Sequence, residues 1–170
     1  MNGTQTTLLT NLMTFAEASI PVVYVVAWTT GVVLMGMMGY RMAFGAGQQQ
    51  SRPVTLGEVA ARMFFAACFF VLPDLINSTA TLVLGRTEDY RSALAAVPNL
   101  AGGNPFWGMV LQVAMVWTIL IGAIGVYRGF LLWNSSTSPS SSRSGGDVFW
   151  QGLWHIVGGA IAINIGVFFM

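Results

Sequence analysis

Asp74 is the residue whose type and position point most strongly to chemistry. It follows Pro73 near the middle of an apolar segment that runs from Met63 to Leu84. A carboxylate at the centre of a membrane costs about 2.5–3.5 kcal/mol on insertion scales, so a functional or paired role is expected. One interpretation is an ion or proton site on a helix broken at Pro73. The other, favoured because a proton relay usually uses several acids, is a kink whose carboxylate pairs with a neighbouring helix or lines a subunit interface.

His155 is the candidate partner of Asp74. It is the only histidine in the chain and lies in the apolar segment that runs from Val148 to Met170. Counted from the same membrane face, the two residues differ in depth by about 6 Å at 1.5 Å per residue, which two side chains can bridge. An equally weighted alternative is that His155 hydrogen-bonds a backbone carbonyl.

Other reactive groups are few. The chain has one Cys, one His, six acidic residues and seven basic residues. A single Cys excludes an internal disulfide and a Cys-based zinc site, and no basic cluster is present to bind a nucleic acid directly. No phosphate-binding loop or catalytic triad pattern occurs. The sequence therefore predicts no enzyme activity, no metal and no cofactor, and leaves bound phospholipid open as a ligand.

The composition indicates that the elements carrying these residues lie in lipid. Of the 170 residues, 55% are hydrophobic and 8% are charged, with a mean hydropathy of +0.67, whereas soluble domains carry roughly 25% charged residues. Runs such as MFFAACFFVL lack the alternation of barrel strands. We therefore predict an all-α integral membrane protein, one domain over residues 1–170, with four transmembrane helices. The predicted spans are residues 20–40, 63–84, 106–133 and 148–170.

The first 19 residues differ from the spans. They contain no Arg or Lys, which argues against a secretory signal. Apolar residues recur in them at helical spacing between Thr, Asn and Gln, which predicts a short amphipathic helix on the membrane surface. Pro21 then occupies a position where a new helix can begin. The alternative is an uncleaved polar tail.

The arginines predict the orientation in the membrane. Residues 41–60 and 134–147 are enriched in Arg at or near their ends, so the positive-inside rule places both connections in the cytoplasm and residues 85–105 outside. The two Arg of residues 85–105 are the main evidence against this orientation. The residues predicted to anchor at lipid headgroups on the cytoplasmic side are Arg41, Arg52, Arg62 and Arg128.

Small residues recur at four-residue spacing in the last two predicted spans. This spacing lets helix backbones approach closely, either within the chain or between copies. In the last span, Gln151 and His155 extend the same face. The residues predicted to form a helix-packing or oligomer face are Gly125 and Gly129 in the third span and Gly158, Ala162 and Gly166 in the fourth.

Three segments resemble those of a known protein group. They are FFVLPDLINSTATLVLG, the C-terminal FWQGLWHIVGGAIAINIGVFF, and YRGFLLW at the end of the third predicted span. They are similar to the small inner-membrane proteins of type IVB secretion and conjugation systems, the DotE/IcmC and TraQ-like conjugal transfer proteins. The resemblance covers roughly residues 60–84 and 120–168.

The resemblance implies a multi-pass subunit of the bacterial inner membrane in a machine that exports protein or plasmid DNA. Membrane lipid, further copies of the chain and other subunits of the machine would be its partners, and no catalytic residue is implied. A pilin-like subunit of a conjugative filament with associated lipid is the alternative, in which case the protein would be found in an extracellular filament. A small transporter or channel using Asp74 and His155 is the second alternative.

Overall fold

The regular secondary structure in the described part of the chain is all helical. In this computed structural model, the described residues are 3–44, 56–72, 74, 102, 104–136 and 145–165. They form four helices: α1 (Gly3–Phe44), α2 (Leu56–Phe70), α3 (Pro105–Ser136) and α4 (Gly145–Ile163). Two of these helices, α1 and α3, are long and apolar enough to cross a membrane.

The predicted break between an amphipathic segment and the first span is wrong. Pro21 lies inside α1, which is continuous over 42 residues. Proline in a helix interior removes one hydrogen bond and usually kinks or breaks the helix. Ala16 and Ile20 before it and Ala27 after it are all buried, so the same side of α1 packs against the bundle on both sides of Pro21. Residues 3–19 therefore belong to the bundle helix instead of forming a separate surface helix.

The helices pack with alternating direction. Gly31 of α1 lies against the backbone of Ala66 in α2, and Trp28, one turn earlier in α1, contacts Phe70, one turn later in α2. Such a pattern, with one residue number rising as the other falls, shows that α1 and α2 are antiparallel. The contact of Phe69 with Tyr127 likewise belongs to an antiparallel pair, α2 and α3.

Helices α1 and α3 run in the same direction. Phe15 stacks on Trp117 with ring centroids 6.2 Å apart, and further along both helices the hydroxyl groups of Thr30 and Tyr127 form a hydrogen bond of 3.0 Å. Helix α4 is antiparallel to α3, because Trp133 contacts Phe149 at the start of α4 while Gly122, earlier in α3, lies against Gly159. The ends of α1 and α3 and the beginnings of α2 and α4 therefore lie at the same end of the bundle. We call it the loop end.

The core is apolar and centres on α3. Among the described residues no polar or charged side chain is buried, and the largest fully buried side chains are Phe69, Leu72, Val116 and Val126. The outer surface is apolar as well: Val25 and Trp28 of α1, for example, are more than half exposed. A core and a surface of the same character are expected when the solvent is lipid.

The second and fourth predicted spans are helical in their described parts. Helix α2 ends at Phe70 and a turn follows at Val71. Pro73, at which the sequence predicts a break or kink, and residues 75–84 of the predicted span lie outside the described residues. Helix α4 covers most of the last predicted span, of which residues 166–170 lie outside the described part.

Candidate functional site

Four glycines form a seam of close backbone contact between α3 and α4. A Cβ built on Gly122 would lie 2.7 Å from the Gly159 carbonyl oxygen, and one built on Gly159 would lie 2.5 Å from the Gly122 carbonyl oxygen. Near the loop end, a Cβ on Gly129 would lie 2.7 Å from the oxygen of Gly152, and one on Gly152 would lie 2.9 Å from that of Gly129. Any larger residue at these four positions would push the two backbones apart.

The register of the seam follows from heptad spacing. The two glycines of α3 are seven residues apart, and so are the two of α4. Seven residues make close to two helical turns, so each pair repeats on one face of its helix. In antiparallel helices the matching intervals bring both pairs into contact together, which fixes the axial position of α4 on α3.

An aromatic contact closes the seam at the loop end. The Trp133 ring stacks on Phe149, with centroids 5.2 Å apart and an interplanar angle of 6°. Its indole Nε1–H donates a hydrogen bond of 2.9 Å to the Phe149 carbonyl oxygen. The end of α3 is therefore joined to the first turns of α4 by both packing and a directional bond.

The seam contains some of the predicted packing residues. Gly129 lies in it, and the Ala162 Cβ would lie 3.0 Å from a Cβ on Gly122. Gly125 is beside it, because a Cβ there would be in ordinary contact, 3.5 Å from the His155 carbonyl oxygen. Gly158 is not in it, since a Cβ there would meet no atom within 4 Å. Gly166 lies outside the described residues.

Sequence reasoning missed Gly152 and Gly159. The search used four-residue spacing, and these two glycines are seven residues apart. A search for glycines at seven-residue spacing finds Gly122 with Gly129 in α3, and in the last segment it finds Gly152 and Gly159 within a longer series that runs from Gly145 to Gly166.

Asp74 and His155 do not form the predicted pair in the described structure. Asp74 is exposed, and in the described part of the chain neither a hydrogen bond nor an ion pair links it to His155. The Nδ1 atom of His155 instead lies 2.7 Å from the Gln151 carbonyl oxygen, one turn earlier in α4. The alternative interpretation of His155, a hydrogen bond to a backbone carbonyl, is the one observed.

The described arginines of the predicted anchor set lie toward the loop end. Arg41 is exposed in the last turn of α1, and Arg128 is exposed on α3. Arg62 of α2 forms an ion pair of 2.8 Å with Glu58 in which both side chains are 17% exposed. Arg52 lies outside the described residues.

The described residues near the seam form contacts between helices. In the described part of the chain, no group of three or more His, Cys, Asp and Glu side chains is placed to bind a metal ion. The polar groups near the seam are single side chains on helix surfaces. No protein-family model matches the chain, and neither a curated protein nor a solved structure matches it.

Proposed function

We propose that this chain is a non-enzymatic, multi-pass membrane subunit that assembles laterally with other helices in the bilayer. The observation that carries the proposal is the combination of an apolar core with an apolar outer surface on the same four helices. A soluble protein of this size would need a charged exterior, whereas a bundle in lipid does not.

The packing favours four spans. Helices α1 and α3 are long and apolar enough to cross a membrane. Helix α4 packs along the second half of α3 through the glycine seam, and α2 packs against α1 near Gly31 and against α3 near Tyr127. Helices that lie beside a span share its solvent. This arrangement and the positive-inside rule support the proposal of four spans with both arginine-bearing connections on the cytoplasmic side.

The resemblance to type IVB secretion and conjugation proteins supplies the biological setting that we propose. A subunit of such an apparatus in the bacterial inner membrane needs a rigid membrane body and lateral contacts with its neighbours. The interlocked α3–α4 pair is suited to the first requirement. The exposed apolar faces are suited to the second, with lipid or another subunit covering them.

Single-cysteine labelling tests the four spans. In a Cys68→Ser background, we expect cysteines placed at Ser51 and Ser141 to react with a membrane-impermeant maleimide only from the cytoplasmic side, and one at Asn99 only from the outside. The chain should also stay in the pellet after a carbonate wash of membranes. Release by carbonate, or labelling of all three sites from one side, would contradict a four-span protein.

A deletion strain tests the biological setting. In a strain that carries a type IVB transfer system and this gene, we expect deletion to reduce transfer and the intact chain to restore it. The chain should remain in membranes and be absent from sheared extracellular filaments. Normal transfer in the deletion strain would contradict an apparatus role, and recovery of the chain in filaments would favour the pilin-like alternative.

A further inference from the structure

The two membrane-length helices, α1 and α3, are aligned so that their predicted spans begin at different depths. Phe15 of α1 stacks on Trp117 of the parallel α3, with ring centroids 6.2 Å apart. Phe15 lies five residues before the first predicted span, residues 20–40, whereas Trp117 lies eleven residues inside the third, residues 106–133. Together the two spans are longer than the about 30 Å of hydrocarbon in one bilayer, so part of one of them lies outside it.

Helix α1 is longer than a bilayer requires. Transmembrane helices tilt by up to about 40°, and at that tilt about 30 Å of hydrocarbon holds about 26 residues. Helix α1 has 42 residues, so about 16 of them lie outside the hydrocarbon even then. Its long uncharged segment, residues 18–40, is bounded by the exposed side chains of Glu17 and Arg41. Because Arg41 is at the loop end, the residues outside the hydrocarbon are those at the opposite end, residues 3–17.

The first part of α1 has a polar side and a packed side. Thr7, Asn11 and Thr14 are exposed, and Glu17 continues the series at the three- or four-residue spacing of one helix side. Ala16 is fully buried, and it is two residues from Thr14, a rotation of about 200° around the helix. A helix with one polar and one packed side is typical of a boundary between protein and water.

Helix α3 accompanies this part of α1. Residues 105–116 precede Trp117 and extend about 18 Å further along the bundle. They are mainly apolar, but Val113 and Val116 are buried, so protein already covers part of this apolar surface. The rest of α3, residues 117–136, has about the 20 residues that a span needs.

We infer that residues 3–17 of α1 and 105–116 of α3 leave the hydrocarbon together, on the side of the membrane opposite the loop end. We call this pair of segments the outer projection. The inference rests on the proposed membrane location, and it adds an element in water that lateral assembly in the bilayer does not require. It places the membrane boundary near Glu17 and Trp117, and tryptophan is a residue typical of such boundaries.

Quenching by lipid tests the depth of the outer projection. Single cysteines in the Cys68→Ser chain are labelled with the fluorophore NBD in phosphatidylcholine vesicles whose acyl chains carry a doxyl quencher. We expect strong quenching at Val25→Cys on α1 and Ile121→Cys on α3, and at least threefold less at Thr14→Cys and Leu111→Cys. All four side chains are exposed, so the difference reports depth instead of burial.

Leu111→Cys is the most informative position, because hydropathy alone places it inside the third span. Quenching there equal to that at Ile121→Cys would overturn the inference. Thr14→Cys should also react with a membrane-impermeant maleimide from the outer side, and failure to react would overturn it as well. If Ser51→Cys and Asn99→Cys label as expected for four spans while Leu111→Cys is quenched, the proposed function stands and this inference fails.

Cross-linking distinguishes the outer projection from a segment that bends at Pro21 and lies on the membrane surface. A short bis-maleimide should join Phe15→Cys to Trp117→Cys within one chain, so that the two positions stay connected after trypsin cleaves the unfolded chain between them. It should not join Phe15→Cys to Ile124→Cys, which is about two turns further along α3. Absence of the first cross-link, with Thr14→Cys unquenched, would indicate a surface helix and overturn the inference.

Discussion

The α3–α4 and α1–α2 contacts differ in how the two helices pack against each other. Along α3 and α4, glycine meets glycine twice, and each backbone lies directly against the other. Between α1 and α2, Gly31 approaches a backbone, with its Cβ position 3.0 Å from the Ala66 carbonyl oxygen, and the large aromatic rings of Trp28 and Phe70 pack one turn away. The first contact is rigid because no side chain separates the two backbones. The second can adjust because side chains can rotate.

The largest expected effect follows from adding one methyl group to the seam. In Gly159→Ala, the new Cβ would lie 2.5 Å from the Gly122 carbonyl oxygen and 2.9 Å from the Val126 backbone nitrogen, and neither backbone atom can rotate away. Overpacking of this kind costs about 1–3 kcal/mol, and we expect the upper end of that range here. The measurement is the free energy of unfolding in mixed micelles during titration with a denaturing detergent.

Gly158→Ala is the matched control for this substitution. It changes the next residue of the same helix and gains the same helix propensity, but its Cβ meets open space. We expect it to be at least as stable as the parent chain. Equal stability of the two variants would mean that the α3–α4 backbones are not in direct contact.

A smaller effect is expected at the α1–α2 contact. In Gly31→Ala, the new Cβ would lie 3.0 Å from the Ala66 oxygen and 3.1 Å from the Phe69 Cβ, so the neighbours need to move by only a few tenths of an ångström. We expect a loss of about 1 kcal/mol relative to Gly36→Ala, whose Cβ meets nothing within 4 Å on the same helix. The same detergent titration measures it, and a loss as large as that of Gly159→Ala would show that α1 and α2 are equally rigid.

Hydropathy predicted the helices better than it predicted their contacts. The third predicted span, residues 106–133, agrees with α3 within three residues at each end, because a long apolar run must satisfy its backbone internally. Pro21 misled the prediction because its local cost is offset by the packing of Ala16, Ile20 and Ala27 against other helices. Tertiary contacts of this kind are not encoded in the local sequence.

The glycine seam was predicted only in part, because it too depends on tertiary contacts between helices. Four-residue spacing identified Gly129 but also selected Gly158, which faces open space within the chain. A small-residue spacing in one helix does not determine which face meets which partner. That depends on the axial register between two helices, here fixed by Gly122 with Gly159 and by Gly129 with Gly152.

The smallest expected effect is at a hydrogen bond between α1 and α3. Tyr127→Phe removes the hydroxyl group that lies 3.0 Å from that of Thr30 but keeps the ring on Phe69. The Thr30 hydroxyl remains satisfied because it also donates to the Val26 carbonyl oxygen at 2.8 Å. Hydrogen bonds between membrane helices average about 0.6 kcal/mol, so we expect a loss of that size in the detergent titration. Thr30→Val removes both of these bonds and should cost more than Tyr127→Phe, since the half-buried Tyr127 hydroxyl then loses the Thr30 hydroxyl as its partner. A loss above about 2 kcal/mol for Tyr127→Phe would mean that α1 is held to α3 by this polar contact instead of by the packing of Ala16, Ile20 and Ala27.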